Sequence, residues 1–147
     1  MWRDIEHELV PLARHAGLAI LVWSPLAAGF LTGKYSGIGG GDDDRRRSFA
    51  FPPVDVDLGH QVLAELRASA VRRGATLAQV ALAWLLAKPH VTSVIVGASA
   101  RAQLVENLAA AEVALADDDI ATLDQLSAPA PLYPGWWAAH FTDPFDP

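Results

Sequence analysis

The sequence contains no cysteine, which excludes a disulfide framework, a thiol nucleophile and any cysteine-ligated zinc or iron–sulfur centre. Positive charge is scarce as well: 11 Lys+Arg stand against 17 Asp+Glu, for a formal net charge of −6 and a pI near 5.2. A chain of that balance repels phosphate backbones and anionic lipid surfaces, which argues against nucleic-acid or membrane-surface binding. Charged residues make up only 19% of the 147, against 52% hydrophobic, too apolar a composition for a disordered chain. An unbroken apolar run is also missing. Residues 16–33 carry no charge, about the shortest stretch that spans a bilayer, but Ser24-Pro25 breaks it in the middle and Gly29 and Gly33 interrupt the remainder. The acidic residues and Arg14 that precede it are unlike a cleavable signal peptide. The chain is therefore read as cytoplasmic, with no membrane segment. There is no internal repeat.

The length suits one domain. A mean hydropathy of +0.22 is high for so short a chain, because small domains bury less of their surface. The excess predicts that part of the apolar surface meets a partner.

Residues 4–16 place Ile5, Leu9, Leu12 and Ala13 at helical spacing, with Pro11 expected to kink the helix and Gly17 to close it. Residues 18–23 (LAILVW) read as a fully buried parallel strand. A loop over residues 24–35 follows, and then a Gly-rich, charge-blocked surface segment over residues 37–47. From Asp55, the stripe Leu58, Val62, Leu66 and Ala70 predicts a helix that Gly74 stops. Thr76-x-x-Gln79 forms a capping box for the next helix, in which Leu77, Val80, Ala81, Trp84 and Leu85 make an amphipathic face. Lys88-Pro89-His90 ends it. Residues 91–96 (VTSVIV) read as a second strand, after which Ser99 is expected to cap a helix running to about Ala110. Asp117 is expected to cap a last helix with Ile120, Leu123 and Leu126 facing inward. Strand, helix, helix, strand, helix is parallel α/β order. Two parallel strands cannot cover their own edges, so the fold reads as part of a larger sheet.

Ligands of parallel α/β folds sit beyond the carboxyl ends of strands, and here both strands lead into small, Gly-containing loops. The first offers the Ser24 and Thr32 hydroxyls, Gly29 and Gly33 for close backbone approach, the Lys34 charge and backbone amides, which together suit a pyrophosphate. The second opens a helix at Gly97-Ala98-Ser99, an anion site by its dipole, with Arg101 in the first turn. Ser99, Gln103, Glu106 and Asn107 share one polar face and Leu104, Leu108 and Ala111 another, as a nucleotide base and ribose phosphate would need. Either loop alone is more often a tight turn. Together they favour a dinucleotide, with residues 24–34 and 97–103 lining a common cleft.

WSPLAAGFLTGKY (residues 23–35) and SVIVGASARAQLVENL (residues 93–108) resemble the two cofactor-binding segments of the aldo-keto reductases, NADPH-dependent oxidoreductases of aldehydes and ketones built on a TIM barrel. GATLAQVALAWLL (residues 74–86), FPPVD (residues 51–55) and YPGW (residues 133–136) extend the resemblance over nearly the whole chain. It implies an incomplete (β/α)8 barrel, with the two strands as barrel strands seven and eight. It also implies that Trp23, Ser24, Pro25, Leu26, Ala27 and Ala28 surround the nicotinamide and pyrophosphate and that Lys34 contacts phosphate. One of Arg45, Arg46 and Arg47, the three left undistinguished, would lie on the loop folding over the cofactor. Gly97, Ser99, Gln103, Glu106 and Asn107 match the adenosine-phosphate segment, and Arg101 suits a 2′-phosphate, favouring NADP over NAD.

The family's chemistry uses a Tyr general acid assisted by Lys, Asp and His, and by resemblance all four lie on earlier strands outside this chain. Lys34-Tyr35 match the cofactor loop instead. His7, His15, His60, His90 and His140 are scattered over helix faces and loops, and Asp42, Asp43 and Asp44 read as solvated rather than as a metal site. A TIM barrel takes roughly 250 residues, so the chain is expected to be about the carboxyl-terminal half, from a truncated frame, a split gene or a fragment. The leading expectation is a cofactor-binding half-barrel, inactive alone, that binds NADPH weakly or gains activity with a chain supplying the missing strands. A second is a non-catalytic nucleotide-binding protein, or an oligomer that pairs its strand edges with a second copy. A third, helix-turn-helix DNA reading over residues 76–108, is disfavoured because residues 91–96 carry no basic side chain.

Overall fold

The computed structural model describes residues 2–34 and 53–138. A 3-10 turn at Asp4–Glu6 precedes helix α1 (Leu9–Ala16), which closes on Gly17 in the left-handed region. Pro11 does not kink a longer helix: the helix begins at Leu9, so Pro11 occupies its first turn, where the missing N–H is no loss.

Strand β1 (Leu21–Val22) pairs in parallel with β2 (Ser93–Val94), Leu21 opposite Ser93 and Val22 opposite Val94. The Thr92 amide donates to the Ile20 carbonyl and the Ile95 amide to the Val22 carbonyl, each at 2.9 Å. Both strands are shorter than the β-branched runs that contain them, and β1 is not buried. Leu18, Leu21 and Trp23 are 59–63% exposed, and Ile95 is 50% exposed. Among the described residues each strand has only the other as a ladder neighbour, so one edge of each lacks ladder partners there.

The face opposite exposed Leu21 and Ile95 packs on helices. Helix α2 (Val56–Arg73) starts where the Asp55 carboxylate accepts the Leu58 N–H at 3.0 Å and ends on left-handed Gly74. Its stripe of Val62, Leu66 and Ala70 is buried, as the spacing predicts. Helix α3 (Leu77–Leu86) begins with the expected capping box, the Thr76 hydroxyl accepting the Gln79 N–H at 3.2 Å and the Gln79 Oε1 accepting the Thr76 N–H at 3.0 Å. A one-sided amphipathic face does not describe α3. Ala78, Val80, Ala81, Leu82 and Ala83 are all buried, because α2, β2 and the segments 30–32 and 101–112 pack around it.

Helix α4 (Arg101–Leu108) starts after Ala100, one turn-forming step beyond the expected Ser99 cap, and a 3-10 turn at Ala109–Glu112 extends it. Helix α5 (Asp117–Leu126) includes Asp117 rather than being capped by it. Leu123 is buried as expected, while Ile120 and Leu126 are half-buried. A last turn, α6 (Gly135–Ala138), follows.

The core gathers Leu63 and Leu66 of α2, Val80 of α3 and Leu123 of α5 around Ala27, Phe30 and Leu31. The loop after β1 is therefore anchored in the core. Gly59 makes room for it: a Cβ there would sit 2.5 Å from Phe30 Cε1.

A second clamp joins α2 to α5. Asp119, 4% exposed, accepts hydrogen bonds from Arg72 at 2.5 Å and from Arg73 at 2.7 and 3.1 Å. Burial alone would raise the Asp119 carboxyl, but the hydrogen bonds from Arg72, Arg73 and the Ala116 amide outweigh it and hold the pKa at about 2. No described helix is long and apolar enough to cross a membrane.

Candidate functional site

Because β1 and β2 are adjacent and parallel, the two Gly-containing loops leave the same edge of the sheet. The first is bent through the left-handed region at three non-glycine residues, Ser24 (φ 51°), Ala27 (φ 50°) and Ala28 (φ 52°). Each such residue costs about 1–2 kcal/mol, a strain tolerated because Ala27, Phe30 and Leu31 are fixed in the core. Strained backbone of this kind concentrates at ligand-binding turns.

The amides expected to donate to a pyrophosphate are committed to the loop itself. Ala27 N–H donates to the Ser24 carbonyl, Gly29 and Leu31 to Leu26, Phe30 to Ala27, Thr32 to Gly29 and Gly33 to Phe30, at 2.9–3.2 Å. Ser24 Oγ accepts the Ala28 N–H at 3.4 Å, and the Thr32 hydroxyl donates to the Gly29 carbonyl at 2.7 Å. A chain that turns this tightly must satisfy its donors locally. What the loop presents outward is the Trp23 ring, 63% exposed, half-buried Ser24, Pro25, Leu26 and Ala28, and exposed Lys34. Ala27 belongs to the core.

In the second segment Gly97, Ser99, Arg101 and Gln103 are exposed and Glu106 and Asn107 half-buried. Ser99 does not cap α4. Its amide and hydroxyl both donate to Gln103 Oε1, at 3.0 and 3.1 Å, so a neutral carboxamide oxygen occupies the donor pair that an anionic oxygen would use. The two segments meet at the first turn of α3. A Cβ on Gly33 would lie 3.0 Å from Leu77 Cδ2, and Gln79 Nε2 donates to the Glu106 carbonyl at 3.2 Å.

A cleft of about 330 Å³ takes in Trp23, Ser24, Pro25 and Ala27 but none of residues 97–107. It runs between the sheet and α2/α3 to a polar cluster that sequence reasoning missed. Lys88, 8% exposed, pairs with Asp124 and lies 4.6 Å from the Trp84 ring centroid. Trp84 Nε1 donates to Asp124 Oδ1 at 3.0 Å. Arg3 holds Glu6 through two hydrogen bonds at 2.7 and 2.8 Å, reaches Ser127 Oγ and the Asp124 carbonyl at 2.8 Å, and stacks 5.4 Å from Trp84. The Arg3/Glu6 and Trp84/Lys88 spacings are local, but the partners that join the cluster to Asp124 lie 36 or more residues from it. Half-buried His90 has its pKa lowered by burial, with Glu6 opposing and Arg14, Lys88 and Arg3 reinforcing. The contacts of Arg3, Trp84, Lys88 and Asp124 tie the N-terminal segment to α3 and α5.

The outward-facing set of Lys34, Arg101, Ser99 and a broad aromatic ring is chemically suited to a phosphorylated, ring-bearing ligand. Among the described residues no three His, Asp or Glu gather as metal ligands. Asp42, Asp43, Asp44, Arg45, Arg46, Arg47 and Tyr35 lie outside the described residues.

The model of the Aldo/keto reductase family matches residues 1–128. The chain is 38% identical over 114 residues to a protein described as a probable voltage-gated potassium channel subunit beta of Arabidopsis thaliana, covering 74% of this chain and 34% of that one. It is 35% identical over 133 residues to an L-glyceraldehyde 3-phosphate reductase of Escherichia coli O157:H7, covering 84% of this chain and 37% of the relative. The chain thus spans about a third of the length of these relatives. It belongs to the aldo/keto reductase family, whose members generally use NAD(P)H.

Proposed function

We propose that the chain is the NADP-binding portion of an aldo/keto reductase barrel, the part that grips the cofactor rather than the part that donates the proton. The observation that carries this is the pair of loops leaving neighbouring parallel strands at one edge, one strained at Ser24, Ala27 and Ala28 and the other opening α4. In this reading Trp23 offers its ring to the nicotinamide, and Ser24, Pro25, Leu26, Ala27 and Ala28 shape the turn beside it. Lys34, Ser99 and Gln103 hold phosphate, with Gln103 releasing the Ser99 donor pair as the ligand enters. Gly97, Glu106 and Asn107 frame the adenosine, and Arg101 meets the 2′-phosphate. Bound NADPH would supply hydride to a carbonyl carbon.

In this reading the Tyr that would protonate the carbonyl oxygen, and the Lys, Asp and His that assist it, belong to other strands of the barrel, and the chain by itself is expected to be inactive. The strand edges that lack ladder partners among the described residues, beside exposed Leu21 and Ile95, are where a polypeptide carrying the other barrel strands would pair. The same edges favour a second reading, a non-catalytic nucleotide-binding protein that pairs them with its own copy; a monodisperse monomer in light scattering would oppose it. Carbonyl-dependent NADPH oxidation separates the main reading from its failure. The purified chain is expected to show none, and to gain turnover when mixed with a polypeptide bearing the absent strands. Turnover by the chain alone would overturn the proposal.

A further inference from the structure

We infer that Gln79, outside both candidate cofactor segments, is a positioning residue that holds α4 in the place where Glu106 and Asn107 can meet a nucleotide. The inference rests on the cofactor reading above. The two ends of the Gln79 carboxamide do different work. Its Oε1 is tied to the Thr76 N–H at 3.0 Å within the capping box, and the box orients the side chain so that Nε2 reaches the Glu106 carbonyl at 3.2 Å. That carbonyl lies in the last turn of α4, just before the 3-10 turn at Ala109–Glu112. Gln79 therefore ties the last turn of α4 to the first turn of α3.

Packing gives α4 little other support. It has no buried residue, and Leu104, Val105 and Leu108 are all exposed. With so little burial to fix it, one oriented hydrogen bond has unusual leverage over where its polar face points.

The two ends of the side chain can be separated by Gln79→Glu. A carboxylate still accepts the Thr76 N–H and suits a helix N-terminus, but it cannot donate to Glu106 and turns a lone pair on it. The variant is expected to melt no lower than the wild type, while amides of residues 101–108 exchange faster and NADPH binds roughly three- to ten-fold more weakly, the size of one net hydrogen bond. Gln79→Ala, which loses both ends, should show the same exchange and binding changes with a lower melting temperature. Unchanged exchange over residues 101–108 in Gln79→Glu, or unchanged NADPH affinity, overturns the inference while leaving the cofactor reading intact. Failure of the wild type itself to bind NADPH overturns the cofactor reading and the inference with it.

Discussion

Replacing Asp119 with asparagine removes the charge at the join of α2 and α5 while keeping its shape. The carboxylate is nearly buried and receives hydrogen bonds from Arg72 and Arg73. Its pKa falls from 3.8 to about 2, a drop equivalent to at most roughly 2.5 kcal/mol. Arg72 is half exposed, and solvent screening reduces the expected contribution to roughly 1–2 kcal/mol. A carboxylate whose pKa is lowered on folding stabilises the protein above its unfolded pKa, and that stability disappears as the pH falls from 3.8 towards 2. Urea denaturation should therefore find Asp119→Asn less stable at pH 7, by a midpoint shift on the order of 1 M, with the gap closing as the pH is taken below 4. Equal midpoints at pH 7, or a gap of constant size down to pH 2, would refute the ion-pair account.

Gly59→Ala should destabilise by about 1–3 kcal/mol in chemical denaturation, although alanine is the better helix former, because its Cβ would meet Phe30 Cε1 at 2.5 Å. Asp124→Ala should cost on the order of 2 kcal/mol by the same assay, since it leaves the nearly buried Lys88 ammonium without its partner, and Lys88→Met in the same background should recover part of the loss. Arg101→Ala should weaken NADPH binding about ten-fold while leaving NADH unchanged in titration calorimetry, as expected of one lost guanidinium–phosphate contact.

Local chemistry was the legible part of this fold. Gly17, Gly74 and the Thr76/Gln79 box each act within one turn of their own position, so the sequence locates the helix ends they make. The α2 stripe was equally plain, because only one of its faces is covered. Strand length was not legible, since residues 18–23 supply β-branched side chains but not the neighbours that would complete a ladder. The burial of Lys88 and Asp119 was hidden for a related reason: each is made tolerable by partners 36 and 46 residues away. At the candidate site, residue types pointed to the two loops, and pairing of the strands brings those loops to one edge. How the donors are spent was not readable. Ser99 looked like a cap and instead binds the Gln103 carboxamide, and the amides after Ser24 close their own turns.

Calorimetric titration of the intact chain with NADPH, alongside NADH, tests the central claim most directly. The account predicts a saturable site, one per chain, that favours the phosphorylated cofactor and weakens as salt screens Lys34 and Arg101. A flat titration with both dinucleotides, or equal affinity for the two, would contradict it.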